Sequence, residues 1–522
     1  MHPNANQPIF ILKEGTEHNH GRAAQSNNIA AAKAVAEAVR TTLGPKGMDK
    51  MLVDEGGDVI VTNDGATILR EMDIDHPAAK MIIDVAKTQE QECYDGTTTA
   101  VILAGEFLKR SEDLIEQNIH PTTICRAYRQ AGNIVQEVIK AHALDSTKVL
   151  HQVAVTSLTG KSAGLMKDYL GDICVEVVKN LSTNGKVNLE HINVVKAVGG
   201  EAFDSELVQG VIIDKERCHG SMPDGHAASG KVLLVDFPLQ VKTTEMDANI
   251  QITDPNQITA FLEQEENYLR ELVDAIVAVK ADVLVCQKEI DDLAKHYLAK
   301  AGIFALEKVK KSDMDSLARA TGGAIIANLD DAADSLGEFG DVQERKIGEM
   351  PMTFFTTPSS LALTLLLRGG TAAFVDEIER AFDDAVGVVA VAFEDGQVLT
   401  GGGSIYAALS REINDAAKME AGRERMAMES FAQALEIIPR TLAENAGLDP
   451  VDEMMALRAA HNEASTSIGI NVEEGGLADM LGLGVYEPVR VVSQALKSAI
   501  EAAIMILRID DVISSRKAGP GQ

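Results

Sequence analysis

LGPKGMDKMLVDEGGDVIVTNDGATILREMDIDHPAAK, residues 43–80, opens at the point where a helix has to end. The preceding residues, Ile29–Leu43, set Ile29, Ala32, Val35, Ala36, Val39 and Leu43 on one face at helical spacing. Gly44-Pro45 then stops that helix, because glycine accepts left-handed backbone and proline cannot continue the hydrogen-bond ladder. MLVDEGGDVIVT (51–62) is a pair of β-prone runs around Glu55-Gly56-Gly57-Asp58, which predicts a hairpin. Asn63-Asp64-Gly65 is a tight turn into further helix, and His76-Pro77 opens another.

Outward from this stretch the chain changes character twice. From Lys231 to Arg368, apolar β-type runs (VLLVDF, DVLVC, AIIANL, ALTLLL) alternate with helical stretches such as Asp291–Lys300, an α/β pattern. After Thr400 the chain is helical and Ala-rich again through Arg508. A helical start, an α/β centre and a helical end predict one domain inserted into another. At 522 residues the chain exceeds a single core. With no Trp and 4% aromatics its cores must be aliphatic. The ending RKAGPGQ reads as a short mobile tail.

Seventy-nine acidic against 48 basic residues give a net charge of −31, which repels phosphate backbones and anionic lipid. Neither nucleic acid nor membrane is an expected partner. Five dispersed cysteines (Cys93, Cys125, Cys174, Cys218, Cys286) have no Cys-x-x-Cys spacing, which argues against a disulfide framework or zinc site and for a reducing compartment. MHPNANQPIFILKEG lacks the basic-then-apolar pattern of a signal peptide, and runs such as Leu361–Leu367 and Val386–Phe393 fall short of the roughly 20 apolar residues of a membrane span. The expected location is cytoplasmic.

Asp95-Gly96-Thr97-Thr98-Thr99, followed at once by AVILAGEFL, is the strongest local chemical signal. Hydroxyls beside the free N–H groups of a helix start form an anion site, and a carboxylate there can hold Mg²⁺ against phosphate oxygens. The plainer reading is a helix cap. Gly44-Pro45-Lys46-Gly47 is a second turn where backbone can approach a ligand, or simply a helix stop. Asp64 is either a turn former or a carboxylate able to orient water or metal, and Asp384 is the same choice on a helix. Ser157–Ser162 contains a Gly-Lys-Ser, yet residue 155 is Val where a Walker A loop needs Gly. Lys161 can still meet a terminal phosphate as a point charge. Gly401-Gly402-Gly403-Ser404 is a further glycine turn between a β-like run and a helix. His18-Asn19-His20 reads as a mobile N-terminal segment rather than a metal site. Asp254, Pro255 and Gln257 form a capping box for a helix whose apolar stripe is Ile258, Phe261, Leu262, Tyr268 and Leu269.

Taken in order, residues 43–80 with DGTTTAVILAGEFL, TSLTGK, GVIIDKER, ITDP, CQKEIDDLAKHYLAK, KKSDMDSLARATGG, GGGS, IPRTLAENAGLDP and LRIDDVI resemble the group II chaperonins, and among them the archaeal thermosomes. The match runs from about residue 20 to residue 515. The resemblance implies a multidomain α and α/β chaperonin fold. A helical equatorial ATPase domain would take 1–148 and 402–522, an intermediate hinge domain 149–217 and 367–401, and an α/β apical domain with a helical protrusion 218–366. It also implies an ATP-dependent chaperone whose subunits form a double ring with themselves or with paralogues. That ring would bind and enclose non-native polypeptides, close them in with a built-in lid around Thr243–Leu272, and need no separate co-chaperonin.

The implied cofactors are ATP and Mg²⁺. By the resemblance Asp95 is the metal ligand, and Gly96, Thr97, Thr98 and Thr99 surround the phosphates. Leu43, Gly44 and Pro45 line the nucleotide with Gly401, Gly402, Gly403 and Glu487. Thr159, Gly160 and Lys161 form the loop that senses the terminal phosphate, and Asp64 and Asp384 position and activate the attacking water. Two departures stand out. Tyr94 occupies the position before the DGTTT run where the family has Gly, and the Gly- and Met-rich C-terminal tail is missing. The alternatives are therefore a non-catalytic structural paralogue within a mixed ring, disabled by Tyr94, and a monomeric small-molecule phosphotransferase.

Overall fold

A computed structural model describes residues 16–53, 56–57, 59–161, 164, 166–226, 228–241, 255–357, 362–462 and 466–515. The chain folds as two compact units, Met1–Gly171 with Ala381–Gln522, and Asp172–Arg380. The second is thus inserted into the first, the nesting predicted by the change of pattern along the sequence. The three-domain division expected from the resemblance is finer than these two units.

The first unit is helical. Its axis is the helix Thr97–Glu116, buried along Ala100–Leu108, where AVILAGEFL is apolar but for Glu106, which pairs with Arg110 at 2.9 Å and Lys109 at 3.3 Å. The helices Arg22–Arg40, Pro77–Cys93, Gly422–Leu435 and Val489–Leu507 pack around it. Gly105 sets the closest approach, since a Cβ there would lie 2.3 Å from the Ala36 Cβ. Phe107 stacks on Phe431 at 4.5 Å between centroids, and Tyr128 meets Phe431 edge-on at 5.2 Å, each pair adding about 1 kcal/mol beyond burial. Elsewhere this core is mostly Ala, Val, Ile and Leu, with Tyr406, Cys125, Met428 and Met454 among them.

The predicted hairpin is present, with Lys50–Val53 antiparallel to Val59–Thr62. Residues 16–20 are a strand rather than a mobile arm, because their backbone pairs antiparallel with 511–515. The tail at 516–522 and the Asp254 end of the capping box lie outside the described residues; the helix itself begins at Pro255 and runs to Ala278.

Among the described residues the second unit holds two larger sheets and the small hairpin of Ser182–Thr183 with Lys186–Val187. Phe304–Leu306, Val283–Cys286, Gly230–Val235 and Ile325–Ile326 lie in that order and are parallel, with Gly337–Phe339 antiparallel at one end of Gly230–Val235. Their runs are buried on both faces, as strands sandwiched between helices are. The run ALTLLL, grouped by sequence with these strands, belongs to the other sheet. Leu363–Gly369 lies parallel to Ile192–Val198 and antiparallel to Glu206–Ile213. Strand–helix alternation is a local pattern and carries no information about partners so far upstream.

Among the described residues no helix is long and apolar enough to cross a membrane. Burial pushes the thiols of Cys93, Cys218 and Cys286 up to about 12, which keeps them as thiols rather than reactive thiolates.

Candidate functional site

The N-terminus of Thr97–Glu116 is the centre of the site. Its cap is Gly96, at φ 77°, and no side chain caps the first turn. Asp95 therefore does not serve as the helix cap that the plainer reading offered; its Oδ1 accepts from the Gly96 N–H at 2.7 Å. Uncapped first-turn N–H groups carry the positive end of the helix dipole outward, beside the Thr97, Thr98 and Thr99 hydroxyls. Gln89 fixes the loop from behind, donating to the Asp95 carbonyl at 2.8 Å and the Val491 carbonyl at 3.1 Å.

Asp64 does cap a helix, accepting from the Ala66 N–H at 3.3 Å and the Thr67 N–H at 2.8 Å. That helix, Gly65–Glu71, starts against the first. A Cβ at Gly65 would stand 2.4 Å from Thr98 Oγ1 and 3.2 Å from Thr98 N, so only glycine lets the two starts meet. Asn63 Nδ2 donates to the Gly160 carbonyl at 3.0 Å. This ties the Asp64 turn to the Thr159–Lys161 loop, whose Gly160, at φ 90°, lies against Pro45. The Thr159 hydroxyl turns back to the Val155 carbonyl at 2.6 Å.

Lys161 Nζ reaches Asp384 Oδ2 at 2.6 Å. Desolvation pushes the Asp384 carboxyl up to about 7, with the Asp64 and Asp95 charges adding to it and Lys161 opposing. Burial works against the Lys161 charge, but Asp384, Asp95 and Asp64 outweigh it and hold its pKa above the usual lysine range. Three carboxylates thus crowd one ammonium.

Opposite the helix starts, Gly401–Gly403 turns from the strand Gln397–Thr400 into the helix Ser404–Ala417. The strand pairs Leu399 with Glu487. Burial, with Asp95 adding, pushes the Glu487 carboxyl up to about 7. These segments enclose a cavity of about 420 Å³. Every residue that the resemblance assigns to the nucleotide site lines it except Gly401 and Gly403, which shape the turn behind Gly402: a Cβ at Gly403 would strike Pro439 at 2.8 Å. Gln89 beneath the loop, and Tyr406, Asn471 and Met480 on the walls, were missed. Each is a single position outside any motif, and only Tyr406, the aromatic of the helix after the glycine turn, offered a signal.

Tyr94 ends the helix Pro77–Cys93 in left-handed backbone, φ 59° and ψ 0°. Its ring lies on Gly387 of the helix Ala372–Asp395, while its edge lines the cavity beside Asp95.

Residues 35–517 match the TCP-1/cpn60 chaperonin family. The chain is 52% identical over 520 residues to a thermosome subunit beta of Methanothermobacter thermautotrophicus, covering 99% of this chain and 96% of that one. It is 53% identical to a thermosome subunit of Methanopyrus kandleri (98% and 95% covered) and 50% identical to a thermosome subunit alpha of Thermoplasma acidophilum (98% and 95%). With its motifs in register from end to end and its α/β unit nested in a helical one, the chain belongs to the chaperonin family, in the group II branch of the archaeal thermosomes.

Proposed function

We propose that this chaperonin subunit binds ATP with Mg²⁺ in the 420 Å³ cavity, hydrolyses it, and uses the cycle to bind, enclose and fold non-native polypeptides. The observation that carries the reading is the convergence of Asp64, Asp95, Asp384 and Lys161 on an uncapped helix start. Neither half of that arrangement is stable empty-handed: free N–H groups want an anion, and three carboxylates against one ammonium want a cation.

The residues fit the group. Among the described residues no three His, Cys, Asp or Glu side chains are placed to hold a metal by themselves. A cation here therefore needs phosphate oxygens as further ligands, which is how Mg²⁺ is usually held. Bound through Asp95, it would neutralise phosphate charge and favour loss of the terminal phosphoryl group. The chain's own side chains do the rest. Thr97–Thr99 and the first-turn N–H groups hold phosphate oxygens. Lys161 turns from Asp384 to the terminal phosphate, and Asp384, whose carboxyl burial holds well above the usual carboxylate range, accepts a proton from water that it orients with Asp64. Glu487 and the Gly402 turn hold the sugar end.

On this reading the equatorial domain is 1–148 with 402–522, the intermediate domain 149–217 with 367–401, and the apical domain 218–366. The segment Thr243–Leu272 forms a built-in lid; its residues 243–254 lie outside the described ones. Identical or paralogous subunits assemble into a cytoplasmic double ring. The test is ATP hydrolysis with and without Mg²⁺, together with light scattering of the assembly. Turnover that needs Mg²⁺ and falls at least about 100-fold in Asp64→Ala and Asp384→Ala is expected. A monomer that binds no nucleotide would end the reading.

A further inference from the structure

We infer that Tyr94 is a positioning residue for Asp384: its ring, seated in the notch left by Gly387, registers the helix that carries Asp384 against the phosphate loop. This rests on the proposed hydrolysis and deepens it.

Two residues that are locally wrong meet here. Tyr94 adopts a left-handed backbone that L side chains rarely take, at a helix end where glycine is the usual choice. Gly387 sits inside a helix of 24 residues, where glycine is the least favourable residue after proline. Each makes sense only through the other. A Cβ at 387 would lie 2.2 Å from Tyr94 Cγ, 2.6 Å from Cδ1 and 2.7 Å from Cβ, so any side chain there would expel the ring. Tyr94 remains 39% exposed, so the contact is not core filling.

What the contact joins gives it a purpose. Tyr94 is bonded to Asp95, whose carbonyl Gln89 pins. Gly387 is one helical turn past Asp384 on the same face, and Asp384 holds Lys161. The ring therefore fixes the spacing between the loop that meets phosphate and the carboxylate that meets water, and an error of 1 Å in such a spacing can cost roughly 100-fold in rate.

The experiment compares Tyr94→Gly, Tyr94→Phe, Gly387→Ala and the double variant Tyr94→Gly/Gly387→Ala in the full-length assembled protein. It measures kcat and KM for ATP, Mg-ADP affinity by calorimetry, and thermal unfolding without nucleotide. Tyr94→Gly and Gly387→Ala should each lower kcat about tenfold while Mg-ADP affinity stays within about twofold, Tyr94→Phe should keep kcat, and the double variant should be no slower than either single one. An unchanged or raised kcat in Tyr94→Gly, as a blocked site would give, overturns the inference, as do losses that multiply in the double variant. Absence of turnover in the unmodified protein would sink the hydrolysis reading instead. The melts then decide the contact: Gly387→Ala should lower the Tm beside Tyr94 but not in the Tyr94→Gly background, and equal shifts in both backgrounds would refute it.

Discussion

Lys161 Nζ and Asp384 Oδ2 stand 2.6 Å apart across 223 residues of sequence. The pair is largely shielded, with 19% and 23% of the two side chains exposed, so removing one partner leaves a poorly solvated charge. In Lys161→Met, Asp384 loses the charge that opposes its upward shift, and its carboxyl rises further. The acid limb of the kcat/KM profile for ATP should then move up by about one pH unit, with a lower plateau. A limb that stays in place would separate Asp384 from the rate.

On the proposed mechanism Asp384 must be ionised to accept a proton, so unmodified protein should show that limb near pH 7, to which burial pushes its carboxyl. Glu487 also titrates at about 7. The two are separated by Glu487→Gln, in which the limb should persist while KM rises. Loss of the limb in that variant would assign it to Glu487.

The same shift bears on stability. Asp384 moves from an ordinary 3.8 to about 7 on folding, so the fold prefers its neutral form. Its contribution is present in full below pH 3.8 and is lost as pH rises through 7. Thermal melts without nucleotide should therefore show Asp384→Asn losing less stability than the parent between pH 4 and 7. Parallel Tm profiles would contradict the burial argument.

Gly65→Ala places a methyl 2.4 Å from Thr98 Oγ1, at the junction of two helix starts rather than in the core. Affinity for Mg-ATP should fall about tenfold, by displacement of the Thr98 hydroxyl and N–H, with the Tm lowered only a few degrees. Calorimetry and a melt on one preparation check both halves.

Phe431 stacks on Phe107 and meets Tyr128 at the centre of the helical unit. Phe431→Ala should cost about 3–5 kcal/mol. The inserted unit has separate cores of its own, so chemical unfolding followed at Tyr297 and Phe339 environments should report little change there. A uniform loss across both units would mean that they unfold as one.

Much of this was legible in the sequence, for local reasons. The hairpin at 51–62 and the helix start at Thr97 depend on residues a few positions apart, whereas the helix expected to run to Leu43 ends earlier, at Arg40, ahead of Gly44-Pro45. The insertion was legible as a switch between helical and strand–helix patterns. Asp384 was legible only through the family resemblance: on its own it is one more helical aspartate, and its partner Lys161 lies 223 residues away. The partners of Leu363–Gly369 were hidden for the same reason. Asp64, a turn former by sequence, is a helix cap that also lines the cavity. The seat of the Tyr94 ring could not be read at all, since it follows from a backbone angle that no motif announces.

The interruption of the helical unit by the inserted one has a consequence for synthesis. As the chain leaves the ribosome, Thr97–Glu116 emerges early with its apolar run Ala100–Leu108 uncovered, while the helices Gly422–Leu435 and Val489–Leu507 that cover it are hundreds of codons behind. The inserted unit can complete itself first. This chaperonin subunit must therefore spend its own translation with that apolar run waiting for cover.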